Sequence, residues 1–221
     1  MQRTDWEGGV DEVGGLAVGY DMAEPRVNPH AAAGAAEVDE EMEMPWTPEV
    51  SGTGSLLADM ARGAVAGAVG TWAMDRVTQW MWNREGPELR IRERWVRPGG
   101  LDPAHVMANR VAGAMGKELE PRQPHPAGVG VHYALGVVPG AVYGALRGRV
   151  GGVDALGGLL YGLGLFVFED EGANALLGTS GKPSDYPWQA HVRGLVGHMV
   201  LGVATHATLE MMEFIEERVA A

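Results

Sequence analysis

Glycine recurs at four-residue intervals within four largely uncharged stretches of this chain. Residues four apart lie on one face of an α-helix, so each recurrence places a stripe of bare backbone along that helix. In water, each glycine costs about 1 kcal/mol of helix stability relative to alanine. In lipid, small residues let helix backbones approach closely, and that packing drives association. The spacing therefore predicts close helix packing at Gly63, Gly67, Gly136, Gly140, Gly144, Gly158, Gly162, Gly194 and Gly202.

The same stretches predict an all-α protein, because helical periodicity runs through them and strand signals are nearly absent. The uncharged run 123–146 is long enough to cross a bilayer, and the other three runs are shorter. Arginines at their ends can snorkel to the interface. We therefore predict a glycine-rich four-span transmembrane bundle, with a soluble glycine-rich bundle as the alternative. The predicted spans are about 55–82, 128–149, 154–177 and 187–215.

The acidity of the chain is concentrated at its start. The formal net charge is -12, and residues 1–53 hold twelve acids against two arginines, a balance of -10. We predict an acidic low-complexity N-terminal extension over 1–53 and a helical membrane domain over 54–221. The extension is either a solvated disordered arm or an arm that covers a partner. Its aromatic anchors would be Trp6, Tyr20 and Trp46.

Basic and aromatic residues collect at one end of the predicted bundle. The link 83–122 is rich in arginine, and tryptophans and tyrosines gather at the same level, as in an interfacial belt. The positive-inside rule then predicts that this end is cytoplasmic and that both termini lie outside. Asp102 as N-cap and Pro103 at the first helical position predict an amphipathic helix over 102–119 on this side. The arginines of 84–97 alternate with glutamates, which favours an interfacial loop over an anionic-lipid or nucleic-acid site.

Four runs carry a resemblance to a known family: 63–82 (GAVAGAVGTWAMDRVTQWMW), 125–150 (HPAGVGVHYALGVVPGAVYGALRGRV), 158–178 (GLLYGLGLFVFEDEGANALLG) and 186–206 (YPWQAHVRGLVGHMVLGVATH). Together they resemble the uncharacterised bacterial membrane family DUF1440, also called YagU-like. The resemblance covers roughly residues 55–210. It implies an integral protein of the bacterial inner (cytoplasmic) membrane with four spans, and it brings no established catalytic residues.

Ionisable residues on the glycine stripes are the candidate functional groups. Charged or titratable side chains inside a membrane bundle are costly and often functional. Three imidazoles with carboxylates could bind a divalent metal or pass protons, and two histidines on facing helices could ligate haem. The alternative is that these groups only hydrogen-bond between helices and fix their packing. The residues of this predicted ion or proton site are His132, His198, His206, Asp170 and Asp75.

The chain contains no Cys and lacks the GxSxG, HExxH and phosphate-loop patterns. We find no nucleophile–base pair either, so an enzyme of the membrane interface is the third alternative only. We therefore predict a structural or accessory membrane protein that packs with itself or within a larger membrane complex. The alternative is a membrane protein that handles protons or metal ions. The predicted partners are membrane lipid and a protein subunit or second copy. The net negative charge speaks against nucleic acid.

Overall fold

A computed structural model describes residues 56–120 and 122–220. The predicted acidic extension, including Trp6, Tyr20 and Trp46, lies outside the described residues. Every regular element in the described residues is helical and none is a strand, which confirms the predicted all-α class. The bounds are α1 (Leu56–Arg84), α2 (Pro87–Val96), α3 (Pro103–Ala114), α4 (Pro126–Leu146), α5 (Leu159–Leu165), α6 (Asn174–Leu176) and α7 (Trp188–Ala220).

Four long rods make up the body of this structure. The π-helical segment Phe166–Ala173 joins α5 to α6, so these elements form one rod beside α1, α4 and α7. Helix α1 packs against α4 and α7, α7 packs against α5, and α3 covers α4. Tyr143 of α4 stacks on Tyr161 of α5 with ring centroids 4.4 Å apart, which brings the remaining pair together. The result is a four-helix bundle with neighbouring rods antiparallel along the chain.

Different elements lie at the two ends of the bundle. Helices α2 and α3 and the loop before α7 lie where α1 ends and α4 begins, and we name this the basic end. The first turn of α1 and the last turns of α7 lie at the other end. There Arg62 binds Glu216 at 2.8 Å and Arg147 binds Glu213 at 2.7 Å. Ion pairs thus bridge three of the rods at the end opposite α2.

Helix boundaries agree with the sequence where capping residues set them. Asp102 caps α3 as predicted, and its carboxylate accepts a hydrogen bond from the His105 backbone N–H at 2.9 Å. Helix α4 ends at Leu146 and α5 begins at Leu159, so both helices are shorter at these ends than the predicted spans, which reach 149 and 154. Gly158, at φ 82°, adopts the left-handed conformation that glycine tolerates and ordinary helix residues do not. Helix α2 is a further difference, since the sequence predicts a loop there.

Large apolar side chains lie mainly on the outside of the bundle. Within residues 56–120 and 122–220, thirty large hydrophobic residues are exposed, whereas the buried hydrophobic residues of any size number eight, of which four are alanines. Helix α4 is the one described helix whose length and hydropathy suit a membrane crossing, and 22% of its most apolar window is buried. The structure therefore contains an apolar outer surface around an interior of small residues.

Candidate functional site

The predicted packing glycines of α1 and α4 face each other. A Cβ built on Gly140 would lie 2.6 Å from the Gly63 carbonyl oxygen and 2.8 Å from the Gly67 Cα. One on Gly144 would lie 2.8 Å from the Gly63 Cα, and one on Gly136 would overlap the Thr71 hydroxyl. Real Cβ atoms do not approach backbone so closely, so only glycine permits this separation of the two helices.

The glycines of α5 and α7 form a second close contact. A Cβ on Gly202 would lie 2.9 Å from the Gly162 Cα, and one on Gly158 would lie 2.8 Å from the Cβ of His206. Gly194 differs, because its nearest neighbours are the Asp170 carboxylate and the Phe166 ring rather than backbone. It therefore leaves room for a carboxylate. All nine predicted glycines face other elements of this same chain.

A cavity of about 300 Å³ lies between the rods toward the basic end. It extends from Thr71, Gly136 and Leu201, deep in the bundle, to Ser180 and Tyr186 in the loop before α7. Burial raises the pKa of the Tyr186 phenol, whose oxygen accepts a hydrogen bond from the Gly181 N–H at 3.2 Å. Titratable side chains line the cavity from α2, α4, the π-helical segment, α7 and the connection between α2 and α3. They include Glu93, Arg97, Asp102, His132, Glu169, Asp170, Glu171, His191, Arg193 and His198.

His132 and Asp75 form one arm of this site. The imidazole Nε2–H of His132 donates to Asp75 Oδ1 at 2.8 Å, and the contact links α4 to α1. The two side chains are 34% and 28% exposed, so the pair is half-buried. His132 lines the cavity while Asp75 holds its ring from behind, as an orienting carboxylate does.

The π-helical segment supplies three consecutive acids. Glu171 accepts a hydrogen bond from His191 Nδ1 at 2.5 Å, and His191 Nε2 donates to the Pro183 carbonyl at 2.9 Å. Both ring nitrogens of His191 thus face oxygen acceptors, which only a protonated imidazolium satisfies. In the described part of the chain, Glu169 and Asp170 form neither a hydrogen bond nor an ion pair through their carboxylates. These two are the unpartnered acids of the cavity wall.

His198 also lines the cavity, one helical turn after Gly194, which the Asp170 carboxylate contacts. Its Nδ1–H donates to the Gly194 carbonyl at 2.9 Å, so Nε2 is left with the lone pair that accepts a proton. The ring is 6% exposed and lies 5.8 Å from Phe166. A hydrogen-bond acceptor and unpartnered carboxylates therefore line one cavity, which is an arrangement able to take up protons or a small cation.

A buried ion cluster closes the cavity at the basic end. Arg193, 8% exposed, donates from Nη2 to both Glu93 oxygens at 2.6 and 2.5 Å and from Nη1 to Glu85. Arg97 also donates to Glu93, and the Arg193 guanidinium lies 4.9 Å from the centre of the Trp82 ring. Because charges so deeply buried are costly unless paired, the cluster ties α1, α2 and α7 into one geometry.

His206 lies apart from the other predicted ligands. Its Nε2–H donates to Glu210 at 3.0 Å, and its Nδ1 accepts from the Tyr143 hydroxyl at 2.9 Å. Both nitrogens are therefore occupied within the chain. The neighbouring Tyr161 hydroxyl is buried without a partner in the described residues. The structure divides the predicted five-residue site into His132 with Asp75, Asp170 with His198, and His206 alone.

No set of three or more His, Asp or Glu side chains in the described ranges is arranged to hold a metal ion. The carboxylates and imidazoles of the cavity line its wall at different points and do not converge on one position. A metal site built from His132, His198, His206, Asp170 and Asp75 therefore has no preformed geometry here. Binding of haem stays a prediction.

Sequence reasoning missed the buried cluster and the histidine–glutamate pair next to it. Arg193 reads as one more interfacial basic residue, and Glu85 and Glu93 read as surface acids alternating with arginine. One local signal was present, since Arg193 interrupts an otherwise uncharged run at the start of a long apolar helix. Its glutamate partners lie at least 100 residues earlier in the chain, so spacing cannot reveal them.

The chain matches no family model, no curated protein and no solved structure. The resemblance to DUF1440 consequently stays a prediction from the four sequence runs.

Proposed function

We propose that this chain is an integral protein of the bacterial inner membrane, with four spans, and that the cavity between its rods takes up protons or a small cation. The observation that supports the first part is the inverted burial pattern. Thirty exposed large hydrophobic residues surround a core whose buried hydrophobics are half alanine, counted over the described residues. An exposed apolar surface of this kind fits lipid, since water would penalise it.

The ion-handling role draws its support from the two unpartnered acids of the cavity. Glu169 and Asp170 line the cavity beside His132 and His198, and π-helical turns are frequent at functional sites. Ionisable residues inside membrane bundles often mark proton relays or ion pathways. Because no three ligands converge in the described residues, protons or a monovalent cation suit the cavity better than a tightly held divalent metal.

The test is flux into proteoliposomes that contain the purified protein. We expect proton uptake, followed with a trapped pH dye, to fall at least tenfold in Asp170→Asn and Glu169→Gln. Glu118→Gln is the matched control, because Glu118 is an exposed acid outside the cavity. Equal flux in empty liposomes, or equal flux in all variants, contradicts a proton role. Repeating the assay with potassium and sodium gradients separates protons from other cations.

A structural or accessory role is the second candidate. The last turns of α7 support it, because Met211, Phe214, Ile215 and Val219 form an exposed apolar stripe at helical spacing. If a second copy covers this stripe, Phe214→Glu with Ile215→Glu should convert a dimer in mild detergent to a monomer. Light scattering measures the mass directly. Val150→Glu, exposed in the connection after α4, controls for the added charge.

A further inference from the structure

We propose that the outward face of α2, with the turn that follows it, binds the phosphate of anionic phospholipids. We name this surface the α2 patch and define it as Ile91, Arg92, Arg94 and Trp95, with the half-buried Arg90 at its edge. The inference rests on the proposed membrane location and goes beyond it by assigning a lipid class to one surface. Three independent observations support it: the burial and pairing of two glutamates, the arrangement of side chains around α2, and a depression next to Trp95.

The first observation concerns charge. In the sequence, the negative charges of the glutamates between residues 84 and 97 offset the positive charges of the arginines in the same segment. In the structure, Glu93 is 2% exposed and bound by Arg193, and Glu85 is bound by Arg193 as well. Glu88 is then the one exposed acid of α2. Arg90, Arg92 and Arg94 form no ion pair in the described residues, so the surface carries a net positive charge that the sequence does not reveal.

The second observation is the order of side chains around α2. At 100° per residue, Ile91 and Trp95 share the middle of the outward face, with Arg92 on one side and Arg94 on the other. Ile91 is 55% exposed and Trp95 is 85% exposed. An exposed tryptophan between arginines is the pattern of a helix at the lipid interface, where the ring enters the headgroup layer and guanidinium groups contact phosphates.

The third observation is a shallow depression beside Trp95. It is lined by Arg94, Trp95, Arg97, Gly99 and Gly100. Gly99 and Gly100 adopt φ values of 62° and 72°, which turn the chain sharply and leave its backbone bare of side chains. Arg97 is bound to Glu93, so Arg94 supplies the guanidinium that has no ion pair in the described residues. Arginine can pair with a phosphate through two parallel hydrogen bonds, and the open backbone leaves room for one beside Arg94.

The acidic extension over 1–53 is the competing occupant, because its charge also complements the α2 patch. Topology argues against it. The described chain begins at the start of α1, and the 29 residues of α1 separate that point from α2 by about 43 Å. A segment attached at the far end of a membrane bundle would have to cross the bilayer to reach the patch. We therefore assign the patch to lipid.

The test uses full-length protein in nanodiscs of phosphatidylcholine alone and of equal parts phosphatidylcholine and phosphatidylglycerol. After extraction into mild detergent, native mass spectrometry measures which lipids stay bound. We expect phosphatidylglycerol to be enriched on the native protein. In the triple variant Arg90→Gln, Arg92→Gln, Arg94→Gln that enrichment should fall at least about fivefold, the effect of a single basic residue near an anionic surface.

A matched variant removes three charges from the same end of the bundle, outside the patch: Lys117→Gln, Arg122→Gln, Lys182→Gln. It should keep the enrichment of the native protein. Equal loss in both triple variants, or no enrichment on the native protein, overturns the assignment of the patch. Insertion into both nanodiscs without a lipid preference contradicts this inference alone. Failure to insert into either nanodisc contradicts the proposed membrane location as well.

Tryptophan fluorescence gives a second readout that does not depend on extraction. Brominated phosphatidylglycerol should quench more emission from the native protein than from Trp95→Phe, whereas brominated phosphatidylcholine should show a smaller difference between the two. Equal quenching differences with both lipids would mean that Trp95 reaches the bilayer without selecting anionic headgroups, and the proposal would then be wrong.

Discussion

Arg193 joins three separate elements at the basic end of the bundle. It binds Glu93 and Glu85 and lies against Trp82, so one guanidinium joins α7 to α2 and to the end of α1. Its own desolvation is costly, and the pairs offset that cost only while both partners are present. Removing Arg193 leaves Glu85 without an ion-pair partner in the described residues and leaves Glu93 with Arg97 alone.

We therefore expect Arg193→Gln to lower the free energy of unfolding by about 3 kcal/mol or more, as loss of one partner of a buried pair does. Glu93→Gln should have a comparable effect. The double variant should be less destabilised than the sum of the two, because the contact between Arg193 and Glu93 is lost in each single variant and is counted twice in that sum. Denaturant unfolding in detergent, followed by circular dichroism, measures all three.

Arg122→Gln is the control for this cycle. Arg122 pairs with Glu120, and the two side chains are 64% and 70% exposed. Exposed pairs contribute about 1 kcal/mol at most, so this variant should unfold almost as the native protein does. Additive losses in the Arg193 and Glu93 variants would show that the two residues stabilise the protein independently.

Among the elements, the contact between α1 and α4 depends most on the absence of side chains. Gly140 meets Gly63 and Gly67 at distances that no Cβ tolerates. Other glycines of α4 have open space beside them, Gly130 among them. The helix therefore contains its own comparison between a glycine at the interface and a glycine on the outer surface.

Gly140→Leu should destabilise the bundle by about 3 kcal/mol or more, because the side chain forces two backbones apart. Gly130→Leu should leave stability unchanged or raise it by up to about 1 kcal/mol, since leucine favours helix more than glycine does. Thermal unfolding in detergent distinguishes the two variants. Equal melting temperatures would show that the α1–α4 contact does not stabilise the fold.

For the molecule as a whole, the central feature is the distribution of apolar side chains. The described residues expose tryptophan, leucine, valine and phenylalanine around an interior of glycine, alanine, threonine and paired ionic groups. Helix α4 is the one described helix that meets both the length and the hydropathy of a membrane crossing. The other three proposed spans do not meet both criteria on their own, so their place in the bilayer depends on the assembled bundle.

We expect the untagged protein to stay with the membrane pellet after an alkaline carbonate wash and to leave it only with detergent. A high-salt wash is the control, since it releases proteins held by charge alone. Recovery in the aqueous fraction after cell lysis without detergent would contradict the membrane location, and the topology and lipid inferences would fail with it.

The helices and one of their caps depend on residues that are close together in the chain, so they can be predicted from a single sequence. Asp102 with Pro103 predicts the start of α3, and four-residue glycine spacing places Gly63, Gly67 and Gly140 on helix faces, because a helix repeats over neighbouring residues. Helix α2 escaped prediction, since its glutamates and arginines suggest a solvated loop until their partners are known.

The cavity and the pairing of its ionic groups depend on contacts between residues that are far apart in the chain. Nothing local indicates that Arg193 withdraws Glu85 and Glu93 from the surface, or that His132 meets Asp75 while His206 binds Tyr143 elsewhere. Such pairings join residues 57 to 108 positions apart. Their energies depend on burial and on distance in space, and the order of residues along the chain specifies neither until the helices have packed.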